Sequence, residues 1–321
     1  MELNHHNKIH KMNNLSLKHL IDISNSRGIH TPEKDRKILI ENLKHWYDDL
    51  FFGKFSRGYI VLNKGPRKTM EDSYILANYN DIIIYGVFDG HGGDAIAKNL
   101  PNLFETILLK RLHQVKNNSK KIVEVITRFF KEIDFNFYEQ WKNGEIKQEG
   151  STASLIICIK NDIYFINLGD SRTILFNDDR IIFSTCDHKP KNITEMTRIN
   201  NSNFGVSYIN NISRINGKLA VSRGFGDFKY KLTNNEYDGI NSAVSIIPDI
   251  TVINIDDRSK PRYIVIATDG LWDVFSNKQI RKYILYQKQT GIDTKIMLKN
   301  LINLTYHKNS YDNVSIILVY I

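Results

Sequence analysis

Cysteine is nearly missing, with two residues, Cys158 and Cys186, in a chain of 321. That is too few for a disulfide framework or a cysteine-rich zinc site, and it fits a reducing compartment. Cys158 sits inside the apolar run Leu155–Ile159 and reads as a small buried hydrophobe. Six prolines and 18 glycines are too sparse for a collagen-like or Pro/Gly-rich chain. No apolar stretch approaches the length that spans a bilayer. The chain starts Met1-Glu-Leu-Asn, without an apolar signal region, and Glu2 excludes N-myristoylation. A soluble intracellular protein of the cytoplasm or nucleus, with no membrane association, is expected.

What is present is ordinary for a globular chain, with 41% apolar and 25% charged residues. The length suffices to bury a substantial core. Lys and Arg number 44 against 35 Asp and Glu, for a net charge of +9. That excess suits acidic or phosphorylated partners. No zinc-finger spacing or RNA-binding aromatic pattern accompanies it, so nucleic acid is not expected as a partner.

Residues 1–50 read as an N-terminal extension. A polar tail with His5, His6 and His10 leads into a helix over 34–50, whose Ile38, Leu39, Leu43 and Trp46 share a face. Residues 51–321 read as one domain. Candidate strands are Gly58–Leu62, Tyr74–Ala77, Ile82–Phe88, Ala153–Ile159, Ile163–Leu168, Thr173–Phe176, Ile181–Phe183, Ser245–Ile247, Tyr263–Thr268 and Ser315–Tyr320. A helix over 119–141 carries Ile122, Ile126, Phe129, Phe130, Ile133 and Phe137 at helical spacing, with Ser119 as its N-cap. Two more helices follow Ser276 and span 294–304. The polar, Asn-rich stretch 189–216 lacks periodicity and reads as a long functional loop. Short turns such as Lys160-Asn-Asp162 join antiparallel neighbours, and the helices come in separated groups. This organisation predicts an α+β layered domain rather than a doubly wound parallel sheet.

The acids carry the chemistry. The run Ile82–Phe88 ends in Asp89-Gly-His-Gly-Gly93, Tyr263–Ala267 ends in Thr268-Asp-Gly-Leu-Trp-Asp273, and Ile163–Leu168 ends in Gly169-Asp-Ser-Arg172. Asp312-Asn313 opens the last strand, and Glu71-Asp72 precedes the strand at Tyr74. Alone, each such acid is an ordinary turn former. If the strand ends converge, five or more carboxylates share a cleft, and like charges that close cannot all stay ionised without a cation. Oxygen ligands without a Cys or His cluster favour Mg or Mn over Zn. Two such ions activate water and clamp phosphoryl oxygens.

In order along the chain stand Arg67-Lys-Thr-Met-Glu-Asp72, Val87-Phe-Asp-Gly-His-Gly-Gly93, Gly150-Ser-Thr-Ala-Ser154, Asn167-Leu-Gly-Asp-Ser-Arg172 and Asp187-His-Lys-Pro190 with Glu195 and Arg198-Ile199. Leu219-Ala-Val-Ser-Arg-Gly-Phe-Gly-Asp227, Ala267-Thr-Asp-Gly-Leu-Trp-Asp273 and Asp312-Asn313 follow. This set, spanning about residues 55–321, resembles the metal-dependent serine/threonine protein phosphatases of the type-2C, or PPM, group. The resemblance implies a β-sandwich of two antiparallel sheets flanked by helices, in α-β-β-α layers, with the metal site at one end.

It also implies roles. Asp89 bridges two ions, the Gly90 carbonyl ligates one, and Asp269 and Asp312 bind the other. Glu71 holds an ion partly through water, and Asp72 anchors ion-bound water. Arg67 grips the substrate phosphate. His91 is the general acid that protonates the leaving serine or threonine oxygen. Asp170 and Asp273, with Asp269, form a weaker third metal site. Asn313 orients ligands. Gly150–Ala153, Leu219–Arg223 and Asp187-His188 read as structural.

Lys64 and Ser315 depart from the family pattern and are expected to carry no chemistry. The segment after Ile199 also departs, beside the cleft. The expected reaction is hydrolysis of phosphoserine and phosphothreonine in phosphorylated protein substrates by a monomer that needs Mg or Mn. The alternative is a catalytically inactive pseudophosphatase that serves as a binding scaffold.

Overall fold

The computed structural model describes residues 50–256 and 262–321. Strands β1 (Phe51–Phe55), β2 (Gly58–Asn63), β3 (Ser73–Tyr79), β4 (Ile82–Phe88), β5 (Ala153–Ile159) and β6 (Asp162–Leu168) belong to its two large sheets. So do β7 (Arg172–Phe176), β8 (Ile181–Ser184), β9 (Asp249–Asn254), β10 (Tyr263–Ala267) and β11 (Val314–Tyr320). One sheet has the order β1-β2-β11-β10-β7-β8 and the other β9-β6-β5-β4-β3, with every pairing antiparallel. The helices are α1 (Ala95–Leu103), α2 (Leu109–Val115), α3 (Ser119–Lys142), α4 (Ile193–Asn201), the single turn α5 (Asp269–Trp272), α6 (Asn277–Gln289) and α7 (Thr294–His307).

The period-2 alternation of the strands builds the layers. In β10, Ile264 and Ile266 enter the core between the sheets, while Tyr263, Val265 and Ala267 pack outward with Ile280, Ile284, Leu298 and Leu301 of α6 and α7. In β4, Tyr85 and Val87 face inward, and Ile82, Ile84 and Phe88 join Phe104, Phe129 and Phe130 of the other helical layer. Strands buried on both faces read as continuous apolar runs, which is why Ile82–Phe88 and Tyr263–Ala267 stand out in the sequence. The expected four-layer α-β-β-α sandwich is the fold observed.

Several local expectations are corrected. Ser245–Ile247 is not a strand. Ser245 makes an isolated parallel bridge to Arg223, Ile246 N–H donates to the Gly239 carbonyl, and pairing with β6 starts after Pro248, at Asp249. The N-cap of α3 is Asn118, whose side chain accepts from Lys121 N–H, and Ser119 is the first helical residue. Stretch 189–216 is no bare loop. It holds α4 and a separate hairpin, Val206–Ile209 with Ile212–Ile215, turned by Asn210 and Asn211 at positive φ. Cys158 is half-buried at the margin of the inter-sheet core, and burial pushes its thiol up to about 12. The helix expected over 34–50 and the histidines of the tail lie outside the described residues.

Helix α4 is placed by a buried carboxylate. Glu195 accepts from Ser222 Oγ at 2.8 Å and pairs with Arg223 at 2.7 Å and Arg198 at 2.9 Å. Arg223 also reaches Asp249 at 2.8 Å, so one network ties α4 to β9. Burial alone would raise the Glu195 pKa, but the guanidinium groups and the Ser222 hydroxyl outweigh it and push it down from 4.5 to about 2. A depressed carboxylate stabilises the fold above its unfolded pKa and loses that contribution as pH falls through its folded pKa. Stability is therefore expected to drop by roughly 3 kcal/mol between about pH 4.5 and pH 2 from this group. Denaturant unfolding against pH checks this. Glu195→Gln should be less stable at neutral pH and flatter across that window.

Candidate metal centre

Strand register gathers the acids. Ser73 of β3 lies opposite Phe88 of β4, so Asp72 and Asp89 leave neighbouring ladder ends. Ala267 of β10 lies opposite Arg172 of β7, which sets Asp269 beside the turn that carries Asp170. Ala267 also lies opposite Ile316 of β11, bringing Asp312 and Asn313 to the same end. One carboxylate oxygen each from Asp89, Asp170 and Asp269 lie within 4.8 Å of one another.

This clustering is electrostatically costly. Burial, then the charges of Asp269, Asp72, Asp170 and Asp312, hold Asp89 well above the usual carboxylate range. Burial, then Asp170 and Asp273, do the same to Asp269. Asp72 is raised to about 7, chiefly by burial, against the hydroxyls of Ser315 and Thr268 that donate to its Oδ2 at 2.7 and 2.9 Å. A divalent cation relieves such repulsion, and an all-oxygen donor set suits a hard ion such as Mg or Mn. Gly90 is buried, and a Cβ there would stand 2.5 Å from the Glu71 carbonyl oxygen, so only glycine lets the chain run this close beside Asp89.

Arg67 stands at the lip, with 56% of its side chain exposed, and donates to Asp312 Oδ2 at 2.6 Å and to the Tyr311 carbonyl at 3.0 Å. Asn313 is the clasp behind it. Its Oδ1 accepts from Glu71 N–H at 2.8 Å, and its Nδ2 donates to the carbonyls of Lys64 and Thr69 at 2.8 and 3.0 Å. The segment bearing Arg67 and Glu71 is thus tied to the start of β11. The Glu71 side chain accepts from Thr69 Oγ1 at 3.0 Å.

His91 belongs to a small sheet in which Gly90-His91 pairs with Gly150-Ser151 and that pair in turn with Phe225-Gly226. His91 and Gly226 both lie opposite Gly150, which delivers Asp227 to the imidazole. His91 Nε2 lies 2.6 Å from Asp227 Oδ2, and that carboxylate is almost fully buried. Burial lowers the His91 pKa, but the charge and hydrogen bond of Asp227 outweigh it, and the net shift is upward. Gly150 makes room for the pair, since a Cβ there would stand 2.4 Å from Asp227 Oδ2 and 2.5 Å from His91 Nε2.

Beyond Asp170, the segment Asp187–Lys189 is anchored to the same turn. Arg172 grips Asp187 with two bonds at 2.6 and 2.8 Å. His188 Nδ1 accepts from Gly169 N–H at 3.0 Å, and its Nε2–H then faces Asp249 at 3.1 Å. This is the structural part expected of Asp187 and His188. Lys189 Nζ forms an ion pair with Asp170 Oδ2. Burial opposes its charge, but Asp170 and Asp269 prevail and raise its pKa. Asp273, one turn after Asp269, faces solvent.

Three participants escape a reading of the sequence. Ser315, expected to carry no chemistry, holds Asp72 together with Thr268. Asp227, just past the stretch Leu219–Arg223 read as structural, holds His91. Lys189 stands on Asp170 inside the acid cluster. Only Asp227 offers a sequence signal, a carboxylate closing a Gly-Phe-Gly run, where a tight approach to other backbone is expected.

The model of the Protein phosphatase 2C family matches residues 60–314. Human "Protein phosphatase 1B" is 33% identical over 273 residues, covering 80% of this chain and 55% of the relative, so the chain spans little more than half of that protein's length. Rice "Probable protein phosphatase 2C 7" is 32% identical over 272 residues, covering 83% of this chain and 66% of the relative. The crystal structure of a serine-threonine phosphatase 2C from Toxoplasma gondii superposes with a TM-score of 0.67 at 21% identity, over 84% of this chain and 98% of that one, a likeness of fold.

Proposed function

The chain belongs to the protein phosphatase 2C family, and from that premise we propose that it hydrolyses phosphoserine and phosphothreonine in phosphorylated proteins, as a metal-dependent monomer acting inside the cell. The observation that carries this reading is the convergence of Asp89, Asp170 and Asp269 within 4.8 Å at one end of the sandwich. Asp89, the Gly90 carbonyl, Asp269, Asp312, Glu71 and Asp72 hold two Mg or Mn ions, and Asp170, Asp273 and Asp269 a weaker third. When bound, the ions supply water activated at neutral pH and neutralise phosphoryl charge.

The chain's own residues do the rest. Arg67 turns its planar fork from Asp312 towards the substrate phosphate and holds it for in-line attack. A bond forms from water oxygen to phosphorus, with one proton of that water released to solvent, as the bond from phosphorus to the serine or threonine Oγ breaks. The leaving Oγ takes its proton from His91. With Nε2 facing Asp227, the His91 proton free for transfer is the one on Nδ1, and Asp227 keeps the imidazolium oriented. Asn313 and Ser315 hold Glu71 and Asp72 in place.

Turnover of a phosphothreonine peptide by the full chain, with Mn and then with excess chelator, tests the proposal. Turnover in Mn that chelator abolishes is expected. A folded protein that binds the peptide without turning it over in Mn would support the scaffold reading instead.

A further inference from the structure

Lys189 is an unusual neighbour for a metal-binding acid. Its side chain is 24% exposed, and it is paired with an Asp170 side chain that is 4% exposed. Nor is it a surface lysine that happens to reach the site. The chain on its N-terminal side is fastened to the turn that bears Asp170 three times over. Asp187 is held by Arg172, the His188 ring by Gly169 N–H, and His188 N–H donates to the Gly169 carbonyl at 2.9 Å. Those bonds fix the backbone from which the ammonium reaches the carboxylate.

We propose that Lys189 is a tethered counter-ion for Asp170, occupying with its ammonium part of the ground where a third cation would sit, and thereby setting how weakly that ion binds. The assignment rests on the metal-centre reading above. An ammonium and a divalent ion that share one carboxylate repel each other and compete for its lone pairs. Third-ion binding must therefore displace Lys189 or share Asp170 with it, whereas Lys189 makes no bond to Asp89 or Asp312 and reaches the other two ions only through the charge it shares with Asp269. The lysine makes the third position a low-affinity site that fills only at high ion concentration. An ammonium serving the substrate phosphate instead is a distinct reading, which the same experiment separates.

Mn is titrated into the full chain, its Lys189→Met variant and its Lys189→Arg variant, with bound ion followed by calorimetry and free Mn by electron paramagnetic resonance. Lys189→Met is expected to tighten the weakest ion by at least about tenfold, with the two tighter ions shifted much less and Lys189→Arg close to the parent. A third-ion affinity that is unchanged or weakened in Lys189→Met overturns the assignment. So does an unchanged isotherm accompanied by a raised KM for phosphopeptide, which would place the ammonium on the substrate. Absence of any Mn uptake by the parent chain overturns the metal centre itself, and the assignment with it.

Discussion

Asp89→Ala is expected to reduce turnover of a phosphothreonine peptide by at least about 10³-fold while leaving the fold intact. Asp89 follows β4 directly, and its backbone is held on both sides. Its N–H donates to Thr152 Oγ1 at 3.1 Å, and its carbonyl accepts from Thr152 N–H at 2.9 Å. The alanine keeps both bonds. It also removes one of several mutually repelling carboxylates, so thermal stability in the absence of metal should hold or rise. Circular dichroism and a melt verify the fold, and the assay reads the loss. Turnover within tenfold of the parent would remove Asp89 from the reaction.

The second large effect concerns His91. A general acid contributes about 10²- to 10⁴-fold, so His91→Ala is expected to lose activity in that range. Asp227→Asn retains the imidazole but removes the carboxylate that outweighs burial and keeps the His91 pKa raised, with Asp170 and Glu71 adding to it. Without Asp227 the proton is held less tightly and is lost at lower pH. The alkaline limb of kcat should therefore move to lower pH, and activity at neutral pH should fall at least about tenfold. Gly150→Ala should move the same limb with both partners still present, because its Cβ would intrude on both the carboxylate and the ring. A kcat profile unchanged in Asp227→Asn would detach the pair from proton transfer.

Much of this was legible in the sequence wherever local pattern and burial agree. Strands buried on both faces write themselves as apolar runs, and the acids that end them announce a shared edge. What stayed hidden is what long-range pairing decides. The pattern of α4 is weak because its buried face includes Glu195, a charge that only Arg198, Arg223 and Ser222 make tolerable. Strand β9 is an edge strand with no fully buried residue, while the more apolar Ser245–Ile247, its Ser245 and Ile246 buried, is irregular backbone bonded to Ser222 and Gly239. Asp227 reaches His91 across 136 positions of chain, and Ser315 reaches Asp72 across 243. No local signal encodes those meetings. They follow from a register set by the whole sandwich.

The most direct test of the central claim is a Mn titration of the full chain, with ion uptake by calorimetry and phosphothreonine turnover measured in the same samples. At least two ions should bind per chain, and turnover should rise over the concentrations at which they bind and vanish in Asp89→Ala. Turnover that proceeds without bound ion, or full ion uptake by a folded chain with no turnover, would contradict a metal-dependent phosphatase built on these strand ends.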